Sequence, residues 1–542
     1  MPLEAHFTEE LRDSLRLRRI VEGEAMLDRA EGELAKLQPA DPDAASLLLL
    51  MAQWVDVGYR DHEFLDTLLL RFSGASRCKL SIHDFLRIRM VEAFRALSAE
   101  ELDTAIETLD WVLKTMRELP DPAVEALAHF WKGRAHRKRG EYEAALEHIV
   151  RARELSQQSR DDVGFAAVIE VHESWLLFQK GMRKEAWQLL EHAETALKST
   201  DHYVALGNIE SARGRFVRRT GEYKNALEHF ERAIALYSRS DPKHRNVART
   251  LVNAAYVKRL LALQLRWKIQ GRVEREHGRA DTVRRSEAGG GGALRARYQK
   301  LCEEAIADLV RAREIYLLHG QRSGIGNVML NLGRLHLDRG AVDEAEHEAI
   351  EAYRLGHERS DSILMARARI LHAGTENIRV EEQMEDGVDI AVHANRARDY
   401  SDEALALARQ TQNRRLVAGA SIAVGDTAAN EFFQDWETAR RYSREAANLI
   451  GPGESDHLVD DLVLLKSRIV EATGIHDLLR AWSEGMVGEK TFQQLSEEFA
   501  EIVIPKVWER EGRKISRVAQ SLSISPKKVR RILRNTGQLK GA

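Results

Sequence analysis

The sequence predicts an all-α protein: a long solenoid of stacked helical hairpins, then a small three-helix module at the C-terminal end. Three observations carry this. Only 9 of the 542 residues are proline; that is about a third of the ~5% usual in globular chains, and helix interiors exclude proline. Glycines and alanines recur at fixed spacing through the middle of the chain. The composition then changes near Ile504. From there to Lys540, eleven Lys/Arg face two Glu, a local charge of +9, while the remainder holds 71 Lys/Arg against 83 Asp/Glu, or −12. A basic tail on an acidic body is the footprint of a nucleic-acid contact.

The apolar content of 44% suffices for a large core, and 31% charged residues argue against a membrane protein. The most apolar stretch, Ala44 to Val57, is shorter than the ~20 residues of a membrane span and carries Asp56. The start, MPLEAHFTEELRDSLRLRR, has acidic residues where a secretory leader has basic ones, and it lacks an apolar stretch. A cytoplasmic location is expected. Cys78 and Cys302 are too few for a disulfide framework or a four-ligand zinc site, and both read as core fillers.

The repeats are GRAHRKRGEYEAALEHIVRARELS, GRFVRRTGEYKNALEHFERAIALY and GRLHLDRGAVDEAEHEAIEAYRLG. Each opens on a glycine (Gly133, Gly214, Gly333), and a second follows seven residues on (Gly140, Gly221, Gly340). Alanines come five residues later (Ala145, Ala226, Ala345) and seven later again (Ala152, Ala233, Ala352). The first glycine lies inside a helix, at a cost of about 1 kcal/mol against alanine, and requires close approach of another helix with no side chain between. The second suits the positive-φ position that ends a helix. The alanines share one face of the following helix. The unit is a helical hairpin that buries its face only by stacking on neighbours.

These residues resemble the tetratricopeptide repeat, including the Gly-x-Tyr turns at Gly140–Tyr142 and Gly221–Tyr223 and the aromatic Phe230. The family unit is ~34 residues. Gly140, Gly181 and Gly221 lie 41 and 40 apart, which points to a divergent type with longer helices. Residues 1–120 are read as divergent hairpins that start the solenoid, and 121–470 as tetratricopeptide-like repeats, about ten or eleven hairpins in all. Gly289 to Gly292 are four consecutive glycines. They argue against helix, so 268–296 is read as a mobile insertion between paired helices. Residues 471–489, with a helix at His476–Glu484, read as a linker. The resemblance implies that Asn253 and Asn331, two residues before the small Ala255 and Gly333, hold the backbone of a protein or peptide partner.

No chemistry-bearing motif emerges. His172-Glu173 and His347-Glu348 lack the second histidine of HExxH, and no GxxxxGK[ST] or GxSxG is present. No enzyme, metal site or cofactor is expected, and no catalytic residue is assigned.

Residues 490–542 form the C-terminal module. Pro505 suits a first helical position and Gly512 a helix end; Ser525-Pro526 is a cap followed by a first-turn proline. Val518, Leu522, Ile524, Val529 and Ile532 point to one small core, with Ala519 where two helices cross. This is helix-turn-helix spacing. It resembles the Fis-type DNA-binding domain: Arg513-Lys514 after the glycine, Ala519 in the second helix, the turn Leu522-Ser523-Ile524-Ser525, then Leu533 and Gly537. Ser523 stands where the family has glycine, which places a side chain at a left-handed position, at ~1 kcal/mol.

The resemblance implies double-stranded DNA as partner. Ser525, Pro526, Lys527, Lys528, Arg530, Arg531 and Arg534 lie on the third helix, whose N-terminal part meets base edges in the major groove. Arg513, Lys514 and Arg517 lie nearer the phosphates. It also implies a homodimer through the preceding helix, a role that falls to Thr491–Val503; its stripe Phe492, Leu495, Phe499, Val503 serves equally to pack on the last repeat. The expected function is a bacterial-type transcription regulator whose solenoid senses or docks a partner. The competing reading is a solenoid scaffold whose basic tail contacts RNA, a membrane or an acidic partner. Trp508 is the only aromatic residue of the tail, and single-stranded RNA readers stack bases on several.

Overall fold

The computed structural model describes residues 6–60, 62–158, 163–277, 288–383, 390–451, 453–472, 482, 490–536 and 538–539. The chain divides into two compact units, Met1–Val463 and Leu464–Ala542.

The first unit opens with α1 (Phe7–Arg16), α2 (Ile20–Leu34), α3 (Ala44–Val57) and α4 (His62–Leu69). The apolar run of α3 is buried on nearly every side, with eleven of its fourteen residues in the core; a helix apolar all round belongs there. Antiparallel hairpins follow: α5 (Ile82–Ser98) with α6 (Leu102–Met116), α7 (Pro122–Arg139) with α8 (Tyr142–Gln158), α9 (Val163–Gln179) with α10 (Arg183–Leu197), and α11 (Tyr203–Arg219) with α12 (Tyr223–Ser240). Next come α13 (Arg245–His277) with α14 (Ala288–Leu318), α15 (Arg322–Asp338) with α16 (Val342–Glu358), α17 (Ser362–Gln383) with α18 (Ala391–Arg409), and α19 (Arg414–Ala428) with α20 (Trp436–Leu449). The helix α21 (His457–Ala472) crosses the boundary between the units.

The repeat spacing has the expected consequences. Ala145, Ala152, Ala226, Ala233, Ala345 and Ala352 are all fully buried. Gly221 ends its helix at φ +78°, and a β-carbon there would lie 2.8 Å from the Ser455 carbonyl oxygen. Gly214 differs from expectation. The space above it is filled by the Phe230 ring, 2.6 Å from where a β-carbon would be. The glycine is thus a socket for a side chain of the paired helix, and the two backbones stay apart.

Three expectations are corrected. Gly289–Gly292 are helical, in the first turns of α14, and α13 continues to His277, so most of 268–296 is helix and not loop. A glycine costs a helix only about 1 kcal/mol, and once a helix is nucleated each further residue adds a hydrogen bond. Residues 278–287 lie outside the described residues, as does most of the 471–489 linker. Cys78 is exposed, in a 3-10 turn, while Cys302 is buried as expected. Pro505 does not start a helix; it is buried inside one.

That helix is α22 (Phe492–Arg510) of the second unit, followed by α23 (Ile515–Ser521) and α24 (Pro526–Asn535). Thr491 and Gln494 form a reciprocal capping box, which fixes the start thirteen residues before Pro505. The proline forfeits one backbone bond there, and its side chain is buried.

The first unit closes on itself. The Ile20 and Val21 amides donate to Asp201, 2.5 and 3.0 Å away. At the α7–α8 turn the Glu143 amide donates to the Gln412 side chain (2.8 Å), and Asn413 donates to the Tyr142 hydroxyl (3.3 Å). Ser455 donates to the carbonyls of Arg219 and Thr220. The first helices of the hairpins consequently face an enclosed interior. Among the described residues no helix is long and apolar enough to cross a membrane.

Candidate functional site

Two sites arise, one in each unit. In the C-terminal unit, Val518, Val529, Ile532 and Leu533 are fully buried against Ala500, Ile504 and Val507, with Ala519, Leu522 and Ile524 beside them. The core read from the sequence is therefore assembled. The α23–α24 turn is closed by the Ile524 amide on the Ala519 carbonyl (3.0 Å), and Ser523 sits at φ +52°. This is a helix end with a left-handed residue, occupied here by serine at a modest steric cost. Ser525 accepts from the Lys528 amide at 3.2 Å, with Pro526 in the first turn.

Arg513, Lys514, Arg517, Ser525, Pro526, Lys527, Arg530, Arg531 and Arg534 are exposed, and Lys528 is half-buried. Arg530, Lys527 and Arg534 make no ion pair among the described residues, whereas Arg531 is engaged by Glu497 of α22 through two 2.6 Å contacts. Arg513 stacks over Trp508, 5.5 Å from the ring centroid. Of the stripe Phe492, Leu495, Phe499 and Val503, Phe492 is 85% and Phe499 50% exposed within the chain.

The second site is a cavity of about 340 Å³ inside the solenoid. It is walled by α3, α7, α9, α11, α13 and α15, which closure of the solenoid brings around one space. Seven cationic side chains line it (Arg18, Arg134, Arg137, Lys138, Arg215, Arg245, Arg249) against two carboxylates, Asp56 and Glu100. Both carboxylates are already committed. Asp56 accepts from Arg134 at 2.7 and 2.5 Å and from the Trp131 indole at 3.0 Å. Glu100 takes Ser323 and pairs with Arg359 at 2.8 Å, with Lys138 at 3.9 Å.

Arg137, Arg215, Arg245 and Arg249 have no carboxylate within ion-pair distance among the described residues. Arg245 makes no hydrogen bond among the described residues. Arg137 lies over the Trp175 ring, 5.4 Å from its centroid. Arg215 donates to the Ser211 carbonyl and Arg249 to Asn208, leaving the buried Arg249 Nε without an acceptor. All four side chains are half-buried. Burial, then the neighbouring arginines, pushes Arg137 down to about 9 and Arg215 well below its ordinary value. Burial pushes Lys138 down to about 8, against the pull of Glu100. His244 is pushed down to about 3, and His172 and His202 well below the usual range, by burial first and nearby cations second, so all three are neutral at pH 7.

The two asparagines read from the sequence lie near this interior but are used within the chain. Asn253 donates to the Arg249 carbonyl (2.8 Å) and accepts from Arg218 (3.3 Å). Asn331 donates to the Asn327 carbonyl at 2.7 Å, and its side-chain oxygen is buried without a partner. The cationic cavity itself escaped the sequence reading, although a signal was present. An arginine follows the first glycine in each quoted repeat, at Arg134, Arg215 and Arg334, and another comes three residues later at Arg137 and Arg218. That phase places them on the inner faces of successive first helices.

The tetratricopeptide repeat family model matches residues 206–263, the α11–α12 hairpin and the start of α13. The described residues thus form an all-helical solenoid, in which residues 206–263 match a tetratricopeptide repeat. Among solved structures, a Rap protein complexed with competence and sporulation factor is similar at 13% identity and a TM-score of 0.48, over 80% of this chain and 100% of that one. A human IFIT1 dimer with m7Gppp-AAAA is similar at 13% identity and 0.45, over 83% and 96%. Yeast Tom70 follows at 12% identity and 0.36, over 88% and 98%. No curated protein matches the chain.

Proposed function

We propose that this chain is a non-catalytic, DNA-binding transcription regulator acting in the cytoplasm. Its C-terminal module reads duplex DNA through α24, and its solenoid senses or docks the effector. A tetratricopeptide-like solenoid is suited to such interaction because stacked hairpins build a continuous inner surface. The observation that carries the DNA-binding half is the division of α24. Val529, Ile532 and Leu533 fill the core, while Lys527, Arg530 and Arg534 stand free on the outside of a capped helix that follows a tight turn. A basic tail serving only as a solvated surface needs neither the turn nor the cap. The exposed Phe492 and Phe499 suit pairing of two copies through α22, as Fis-type domains do.

The test is binding of the full chain to random and selected duplex DNA across a salt series. Binding that weakens steeply with salt, and is lost when Lys527, Arg530 and Arg534 are all replaced by alanine, supports the reading. No binding at low salt, or binding unchanged in the triple variant, overturns it and leaves the scaffold reading.

A further inference from the structure

We propose that the arginine-lined cavity of the solenoid binds a compact oligophosphate, the chemistry shared by a nucleoside triphosphate and a free inorganic polyphosphate. The proposal rests on reading the solenoid as the sensing half of the molecule and is independent of DNA binding by the C-terminal module.

Charge is the first argument. In about 340 Å³, Arg137, Arg215, Arg245 and Arg249 have no carboxylate within ion-pair distance among the described residues, and the two carboxylates of the lining already have partners. The remaining positive charge is crowded and partly stripped of water, which is unfavourable until anions enter. Each phosphate monoester brings roughly −1.5 to −2 at neutral pH, so two or three linked phosphates supply the balance in a small volume. A peptide would need several acidic residues, each with its own length of chain, to supply as much.

Geometry is the second argument. Arg137, Arg245 and Arg249 come from α7 and α13, on different hairpins, and the planar guanidinium fork matches phosphate oxygens two at a time. Arg249 Nε is shielded with no acceptor, although the head is otherwise held by Asn208. An anion between these heads gives it one.

The amides are the third argument. A groove that clasps a peptide backbone leaves its asparagines free, whereas those of this wall are bonded within the chain. Asn208 Oδ1 accepts from Tyr237, Asn246 and Arg249, and Asn327 bridges the Ser323 carbonyl and Arg367. The charge that this interior leaves without a counterpart is positive.

The experiment is thermal unfolding of the full chain, without DNA and at matched ionic strength, with inorganic tripolyphosphate, ATP, a hexaglutamate peptide or sulfate. Tripolyphosphate and ATP should raise the melting temperature by several degrees and saturate, with little response to the peptide or sulfate. A clearly tighter response to ATP names the nucleotide as source; equal responses name the phosphate chain itself. Arg245→Gln with Arg249→Gln should raise the ligand-free melting temperature, by relieving repulsion, and weaken tripolyphosphate binding at least about tenfold. A merely structural pair of arginines would instead lower it. If the double variant does not fold, Arg137→Gln carries the same two expectations. Lys184→Gln, on the outer surface, should change neither quantity. No saturable response to either phosphate probe, an equal response to the peptide, or wild-type affinity in the variants overturns the proposal. A failed DNA-binding experiment leaves it standing.

Discussion

Arg531 reaches back from α24 to Glu497 on α22, with Nη2 2.6 Å from both carboxylate oxygens. Arg530, its neighbour, has no such partner among the described residues. The pair is half-exposed, and exposed ion pairs hold weakly. If the module binds DNA as proposed, the two arginines start from different positions. Arg530→Ala should cost about 1–3 kcal/mol of binding and relax base preference. Arg531→Ala should cost less, because that side chain must first leave Glu497. Glu497→Gln should tighten binding to all sequences by removing a competing carboxylate. Fluorescence anisotropy with selected and random duplexes measures all three.

Lys514 is exposed at the start of α23, clear of the core. Lys514→Ala should weaken every sequence alike and lower the slope of log affinity against log salt by about one. A change in base preference would place it in the groove instead.

Val529 is fully buried at the centre of the small core. Val529→Asp should unfold the module, since an unpaired carboxylate there costs several kcal/mol, of the order of what so small a core supplies. Circular dichroism should still report a helical solenoid, while DNA binding is lost.

Glycine to alanine should act with opposite sign at two positions. A β-carbon on Gly292 meets nothing within 4 Å, so Gly292→Ala should stabilise by up to about 1 kcal/mol through helix propensity. A β-carbon on Gly214 would fall 2.6 Å from the Phe230 ring, so Gly214→Ala should destabilise by about 1–3 kcal/mol through overpacking. Urea denaturation of both variants checks the contrast.

Acid should destabilise the protein well above the carboxylate range. Burial holds His129 and His372 down to about 4 and His148 and His244 to about 3, against 6.5 when unfolded. All are neutral in both states above pH 7, so their contribution is intact there. As pH falls through 6.5 the unfolded chain takes up protons that the folded chain refuses, and stability is lost progressively toward pH 4. Each such histidine contributes a slope of up to about 1.4 kcal/mol per pH unit. Melting temperatures from pH 7.5 to 5 should fall steeply, and His244→Gln should flatten the fall.

The hairpins are legible in the sequence because their small residues are a local code: Gly221 and Ala226 follow from what one turn and one helix face require. The C-terminal core is legible for the same reason, since Val518, Ile524 and Val529 lie within a dozen residues. Pro505 misled because a proline start and a tolerated interior proline look alike unless the capping box at Thr491 and Gln494 is weighed. The glycine tract misled because entropy was set against helix without the neighbouring helical turns that extend into it. The inward arginines leave a local signal, but the space they share does not. Asp56, Arg137, Arg215 and Asn327 share one space only after the array has curved through several hairpins, and no local pattern encodes the closing contacts.

Those closing contacts change how the molecule comes apart. An open array of repeats frays from its ends, each unit leaning only on the next. Here the α7–α8 turn grips residues about 270 positions further on, and Ser455 is fastened to the end of α11. Neither end of the ring is free to peel, and opening the ring exposes many hairpins at once. Hydrogen exchange should therefore lack the graded profile of a linear array, with α7 through α19 exchanging together in one cooperative opening.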